Sequence, residues 1–148
     1  MRISGFTFIK NAVAYDFPVV ESVRSVLPVV DEFIIVAGDS SDGTDELLKA
    51  FDGEPKVRII RTVWDTQTYD RGGMIYAQQT DVGLRACTGD WCFYIQSDEI
   101  MHHDALPVIR EACAKYLDDR RVEGFLLKYV HLYGDYRHYI DSLHFAYP

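Results

Sequence analysis

Apolar residues gather in five short runs, at 3–9, 33–37, 57–61, 91–95 and 124–130, each bounded by polar, glycine or proline residues. Runs of this length, rich in Ile, Val, Phe and Tyr, are strand signals. Between them the spacing predicts helices. Asp16 caps the first, with Pro18 in its first turn, and Pro28 stops it after Leu27. Asp42 or Thr44 caps the second, which runs to about Phe51. The third spans Met74 to Ala86, after the Gly72-Gly73 pair. Asp104 or a neighbour opens the fourth, which reaches about Leu117, before a charged turn at 118–121. Strands alternating with helices predict parallel βαβ units in a three-layer α/β/α domain with a mostly parallel sheet.

The fourth run changes character where it ends. Trp91 to Ile95 is apolar and reads as a buried strand, but Gln96-Ser97-Asp98-Glu99 follows at once. Ligands of open α/β sheets gather at the carboxyl ends of the strands. Asp98 and Glu99 are therefore expected at a cleft, where a carboxylate seats a hard cation and the cation serves a phosphate. The second run leads into Asp39-Ser40-Ser41-Asp42-Gly43-Thr44. Its carboxylates suit sugar hydroxyls or a base N–H, and its amides suit phosphate. The same residue types also make a well-capped helix start. Neither Gly-x-Gly-x-x-Gly nor Gly-x-x-x-x-Gly-Lys-Ser/Thr is present, which argues against a dinucleotide dehydrogenase and a P-loop NTPase.

Charge narrows the partners. The 148 residues carry a net charge of -8. This disfavours nucleic acid and anionic lipid, so a phosphate ligand needs a local device, a metal or a few placed cations. Lys10 and Asn11, just after the first strand, are candidates, as is Arg71 beside the glycine pair. Trp64 and Asp65 either flank a base or sugar or belong to the core. The three cysteines, Cys87, Cys92 and Cys113, lack zinc spacing and read as small buried apolar residues. His102 and His103 read as helix-start surface. No signal peptide or membrane-length apolar run is seen, so the expected location is the cytoplasm, with the full-length protein peripheral at the inner face of the membrane. Tyr129, Tyr133, Tyr136, Tyr139 and Tyr147, five of the ten tyrosines, crowd the end with His131, His138 and His144. Such a tail reads as an acceptor platform, as core for a missing half or as a contact surface, in a chain that looks interrupted.

Taken in order, these segments resemble the family-2 glycosyltransferases, which have the GT-A fold, a Rossmann-like nucleotide-diphospho-sugar transferase architecture. The resemblance rests on Phe8-Ile9-Lys10-Asn11, Ser22 to Ser25 with Val30-Asp31-Glu32, Ser40-Ser41-Asp42-Gly43-Thr44, Ala86 with Gly89-Asp90-Trp91, and Gln96-Ser97-Asp98-Glu99. It implies transfer of a sugar from a nucleotide-diphosphate sugar to an acceptor hydroxyl, with inversion. Mg or Mn would neutralise the departing diphosphate. Asp98 falls on the last Asp of the family's D-x-D motif, the metal ligand. Phe8, Lys10, Asn11, Asp39, Ser40, Asp42, Arg71, Gln96 and Ser97 would line the donor site.

Two departures stand out. Gln96 replaces the first Asp of D-x-D, and Ala37 stands where the family carries a base-contacting Asp, so Asp39 would have to substitute. The catalytic base is expected beyond Pro148, with Glu99 as the alternative. Residues 122–148 would begin an incomplete acceptor half of a single domain over 1–148. Expected partners are the sugar donor and a glycan or lipid-linked acceptor, with a homo-oligomer left open; the parent would serve cell-envelope or glycan biosynthesis. Two rival readings remain: a noncatalytic nucleotide-binding or scaffold module of this fold, and a sugar-1-phosphate nucleotidyltransferase.

Overall fold

The computed structural model describes residues 1–69 and 71–140. The chain divides into two compact units, 1–118 and 119–148, and each is described by itself. The first holds β1 (Ile3–Ile9), α1 (Val19–Val26), β2 (Glu32–Ala37), α2 (Thr44–Leu47, continued as a 3-10 turn to Phe51), β3 (Val57–Arg61), α3 (Met74–Ala86), β4 (Trp91–Tyr94) and α4 (Ala105–Lys115). Its four strands are all parallel, in the order β3-β2-β1-β4.

Strand alternation sorts the core. Ile3 and Ile9 of β1 and Phe33, Ile35 and Ala37 of β2 share one cluster with Val19, Val23 and Val26 of α1, Leu48, and Ile109 and Cys113 of α4. The alternate residues Phe6, Ile34 and Val36 face the other way, covered by Val82 and Ala86 of α3. Residues 33–37 are buried without exception, as a central parallel strand requires. Each fully buried valine of α1 contributes about 1.5–3 kcal/mol. Gly83 lets α3 close on the sheet: a Cβ there would lie 2.5 Å from the Phe6 ring.

The amino ends of the strands are sealed by carboxylates. Asp31 accepts the Ile3 N–H at 2.8 Å, and Asp90 accepts the Arg2 N–H at 2.7 Å. Glu32 accepts from the Ser4 hydroxyl at 2.6 Å and from both the N–H and hydroxyl of Thr88 at 2.7 Å. Ser4 Oγ in turn accepts the Gly89 N–H. The Asp-Glu and Gly-Asp pairs that carried the resemblance are thus the fasteners of this edge.

Several expectations need correction. Asp16 does not cap α1: it sits at φ 53 in a loop closed by its own backbone bonds, and Pro18 precedes the helix with no side-chain cap. β4 is not buried on both faces, because it lies at the edge of the described sheet, with Cys92 and Tyr94 exposed. Of the cysteines only Cys113 is buried; Cys87 is half-buried. No strand forms over 124–130. That run makes no ladder among the described residues, and an apolar composition does not make a strand without a partner for its backbone.

The second unit instead contains an unforeseen antiparallel hairpin, β5 (Leu132–Tyr133) and β6 (Asp135–Tyr139), which turns at Gly134 with φ 77. Tyr133 and Tyr139 are exposed on it. Asp141, His144, Tyr147 and Pro148 lie outside the described residues. Among the described residues no helix is long and apolar enough to cross a membrane.

Candidate functional site

At the carboxyl end of β1 the chain enters Lys10-Asn11. Asn11 adopts φ 52, a left-handed conformation that asparagine tolerates better than most residues. This turns the loop toward the segment that follows β2. The two are then stitched together. The Asn11 N–H donates to Ser40 Oγ at 2.9 Å, and the Ser41 N–H donates to Asn11 Oδ1 at 3.0 Å. The Ala12 N–H donates to the buried Thr44 hydroxyl and the Ala14 N–H to Asp42. Desolvation opposes the charge on Asp42, but hydrogen bonds from Thr44 and Ala14 outweigh it and hold the carboxyl below its ordinary range. Ser40 and Asp42 thus shape the loops and are not among the residues that line the cleft beside them.

The cleft lies beside them. It encloses about 610 Å³ between Phe8, Ile9, Lys10, Asn11, Tyr15, Phe17, Trp64, Tyr76, Tyr94, Gln96, Ser97 and Asp98. One wall is aromatic. Phe8 stacks on Tyr76 at 5.9 Å and on Tyr94 at 6.1 Å, and meets Trp64 edge-on at 6.1 Å. Trp64 packs against the backbone of Gly38, where a Cβ would fall 2.4 Å from its indole nitrogen. Lys10 lies over the Trp64 ring at 5.5 Å and donates to Asp39 at 2.7 Å. Asp39 also accepts the backbone N–H of Trp64 at 3.1 Å. The Lys10 bond, then the Trp64 bond, keep its carboxyl below the usual range.

The other wall is the turn after β4. The Gln96 N–H donates to Glu99 Oε2 at 2.9 Å, and the Glu99 N–H returns a bond to the Gln96 carbonyl at 3.1 Å. Ser97 is buried inside this turn, whereas Asp98 is exposed at the cleft. Although Tyr94 keeps 39% of its surface exposed, partial burial of its phenol, reinforced by the negative charges of Glu99 and Asp98, pushes it up to about 12. Tyr94 is thus a neutral hydrogen-bond donor at physiological pH.

Of the residues singled out from sequence, Phe8, Lys10, Asn11, Trp64, Gln96, Ser97 and Asp98 come together in one cleft, and Asp39 adjoins it through Lys10 and Trp64. Arg71 does not line it; Gly72 and Gly73, at φ 57 and 75, form the turn that starts α3. Asp65 accepts the Gln67 and Thr68 N–H groups of its own turn. Sequence reasoning missed Tyr15, Phe17, Tyr76 and Tyr94 as lining. Tyr94 was findable, because it pairs with Phe6 and so shares the parity of Phe8. Nothing local marks the other three.

The donors suit a hard cation only in part. Among the described lining residues Asp98 supplies the one carboxylate, and Gln96 adds a neutral amide. A site of one carboxylate completed by water and phosphate oxygens is how magnesium is commonly held. The group His102, His103 and Asp104 has ligand atoms within 4.8 Å of one another. Its His102 Nδ1, however, accepts the Asp104 N–H at the start of α4.

The profile of glycosyl transferase family 2 matches residues 18–140. A comparison with curated protein sequences finds no match. Among solved structures the chain is similar to S. aureus TarS, with a TM-score of 0.59 and 16% identity over 89% of this chain and 41% of that one. TarS in complex with UDP-GlcNAc gives 0.55 and 16%, over 87% and 37%. Glucosyl-3-phosphoglycerate synthase from Mycobacterium tuberculosis, in complex with Mn2+, UDP and phosphoglyceric acid, gives 0.50 and 22%, over 80% and 40%. The chain therefore spans less than half the length of each of these proteins. The shared architecture is the GT-A fold.

Proposed function

Since the chain belongs to glycosyl transferase family 2, we propose that its cleft binds a nucleotide-diphosphate sugar and that the protein transfers the sugar to an acceptor hydroxyl, with inversion and with a divalent cation. The observation that carries this reading is the exposed Asp98 carboxylate opening on the same cleft as Lys10 and the aromatic wall. Mg or Mn, when bound, would neutralise charge on the departing nucleoside diphosphate. Asp98 would hold it, with Gln96 offering an amide oxygen. The face of Phe8 or Trp64 suits a base or sugar ring, and Lys10 brings a positive charge to an otherwise acidic chain. Tyr94 donates a hydrogen bond without losing its proton. Glu99, engaged by the Gln96 N–H, is assigned as a brace. The base is assigned to none of the described residues. UDP is the nucleotide to test first, because TarS and glucosyl-3-phosphoglycerate synthase were each solved with it.

Calorimetry with UDP, GDP and TDP, with and without Mn, tests the reading. UDP should bind at least about tenfold more tightly with Mn, and Asp98→Ala should abolish that increment, as loss of a sole carboxylate ligand would. An increment that survives Asp98→Ala, or absence of nucleotide binding, overturns it. The neutral Gln96 favours one second reading, a noncatalytic nucleotide-binding module, which would bind UDP equally well with and without Mn.

A further inference from the structure

The turn that presents Asp98 is fastened from below by a helix with no residue on the cleft surface. Ser22 of α1 is fully buried, and its hydroxyl donates to the Gln96 carbonyl at 3.0 Å. That carbonyl also accepts the Glu99 N–H. One turn further along α1, Ser25 Oγ accepts the Met101 N–H at 3.0 Å and donates to the Ser22 carbonyl at 2.6 Å. The segment 96–101 is thus held at its first residue by Ser22 and at its last by Ser25, and the two serines are bonded to each other. Asp98 lies between the fixed points.

We propose that Ser22 and Ser25 are positioning residues for Asp98, so that α1 sets where the cation-binding carboxylate stands. The inference rests on the donor-site reading above. The physical reason is preorganisation. A single carboxylate completed by phosphate oxygens has few protein ligands to fix its geometry, and an untethered six-residue loop would have to be ordered on binding. Gln96 adds an amide oxygen but no charge, so the geometry rests chiefly on Asp98. Fixing both ends of the loop to one rigid helix removes that ordering cost before the ligand arrives. Glu99 completes the arrangement by accepting the Gln96 N–H, so residue 96 is engaged at both its backbone N–H and its carbonyl.

The test compares UDP affinity with and without Mn in Ser22→Ala, Ser25→Ala and Ser25→Thr. Removing an outer partner of a metal ligand typically weakens metal-dependent binding about tenfold. Each alanine variant should therefore lose roughly that factor from the Mn increment, while metal-free UDP affinity stays within about twofold. Ser25→Thr keeps the hydroxyl at a half-buried position and should restore the increment. A merely structural serine would lower the melting temperature and leave the ratio of the two affinities unchanged, which overturns the proposal. Amide exchange in the nucleotide-free protein reads the same brace without a donor. Exchange at Met101 should rise in Ser25→Ala while β1 and β2 stay protected; unchanged exchange there overturns the brace whether or not nucleotide binds. If the wild type shows the Mn increment and Asp98→Ala removes it, yet the serine variants keep it, the donor site stands and only the brace falls.

Discussion

At the amino ends of the strands, Asp31, Glu32 and Asp90 each accept a backbone N–H, and Ser4 and Thr88 complete the seal around Glu32. At the carboxyl ends Asp42 is likewise taken up by the Ala14 and Thr44 N–H groups, and Asp39, beside the cleft, pairs with Lys10, whereas Asp98 faces the cleft. The difference lies in the partners, since carboxylates saturated by backbone donors fasten a fold, whereas one left open to solvent can take a ligand. The acidic residues of the amino edge should therefore govern stability, and the open Asp98 affinity.

Glu32→Ala is the strongest way to break that division. It strands the Ser4 hydroxyl, on a residue with 0% exposure, and takes the acceptor from the Thr88 hydroxyl, while the Thr88 N–H keeps Ser4 Oγ at 3.2 Å. Leaving such groups without partners costs about 3 kcal/mol. Denaturant unfolding should show this loss, while UDP affinity of the folded fraction stays at the wild-type value.

The same edge should give an acid limb. The N–H of Ile3, with help from Arg110, holds Asp31 below its ordinary 3.8. Desolvation works against Glu32, but bonds from Ser4 and Thr88 outweigh it and hold that group below 4.5. Both folded-state values are depressed, so both groups stabilise fully above the unfolded values, and the contribution disappears as pH falls through the folded ones. Stability should be level above about pH 5 and decline below about pH 4. The decline should be shallower in Glu32→Ala; an identical limb would remove Glu32 from the explanation.

Gly38→Ala tests whether the cleft wall tolerates crowding from behind. The added Cβ would meet the Trp64 indole nitrogen at 2.4 Å. Overpacking of this kind costs about 1–2 kcal/mol. Trp64 also lines the cleft, so this substitution, unlike Glu32→Ala, should lower UDP affinity as well. Tryptophan fluorescence in the presence of UDP reads both effects.

How much of this was legible follows from range. β1 and β3, α3 and the position of Asp98 were plain, because the period of the apolar residues and the abrupt Ile95-Gln96 boundary are local signals. The fastening role of Asp31, Glu32 and Asp90 was not, since each acts on a backbone group at the entry to β1 or in the loop after α3, 28 to 88 positions distant. The run at 124–130 failed for the converse reason. Its local composition is that of a strand, but pairing is decided by what lies alongside. Tyr76 and Tyr15 reach the cleft through tertiary placement alone, whereas Tyr94 could have been read from its parity with Phe8.

Lys10→Met should have the smallest effect and discriminates most finely. The ion pair with Asp39 is at the surface, and such pairs contribute little to stability. The melting temperature should therefore hardly move, in contrast to Glu32→Ala. The Asp39 carboxylate would keep its bonds from backbone N–H groups but lose its counter-charge, and its negative charge would oppose an incoming diphosphate. UDP affinity should fall about threefold at low salt, the size of a screened surface interaction, and the difference should shrink as salt is raised. Calorimetry at two salt concentrations measures it. A loss of affinity indifferent to salt would mean that Lys10 acts by holding the Trp64 ring, on which its ammonium rests, and that the cleft is fastened by packing where the amino edge is fastened by hydrogen bonds.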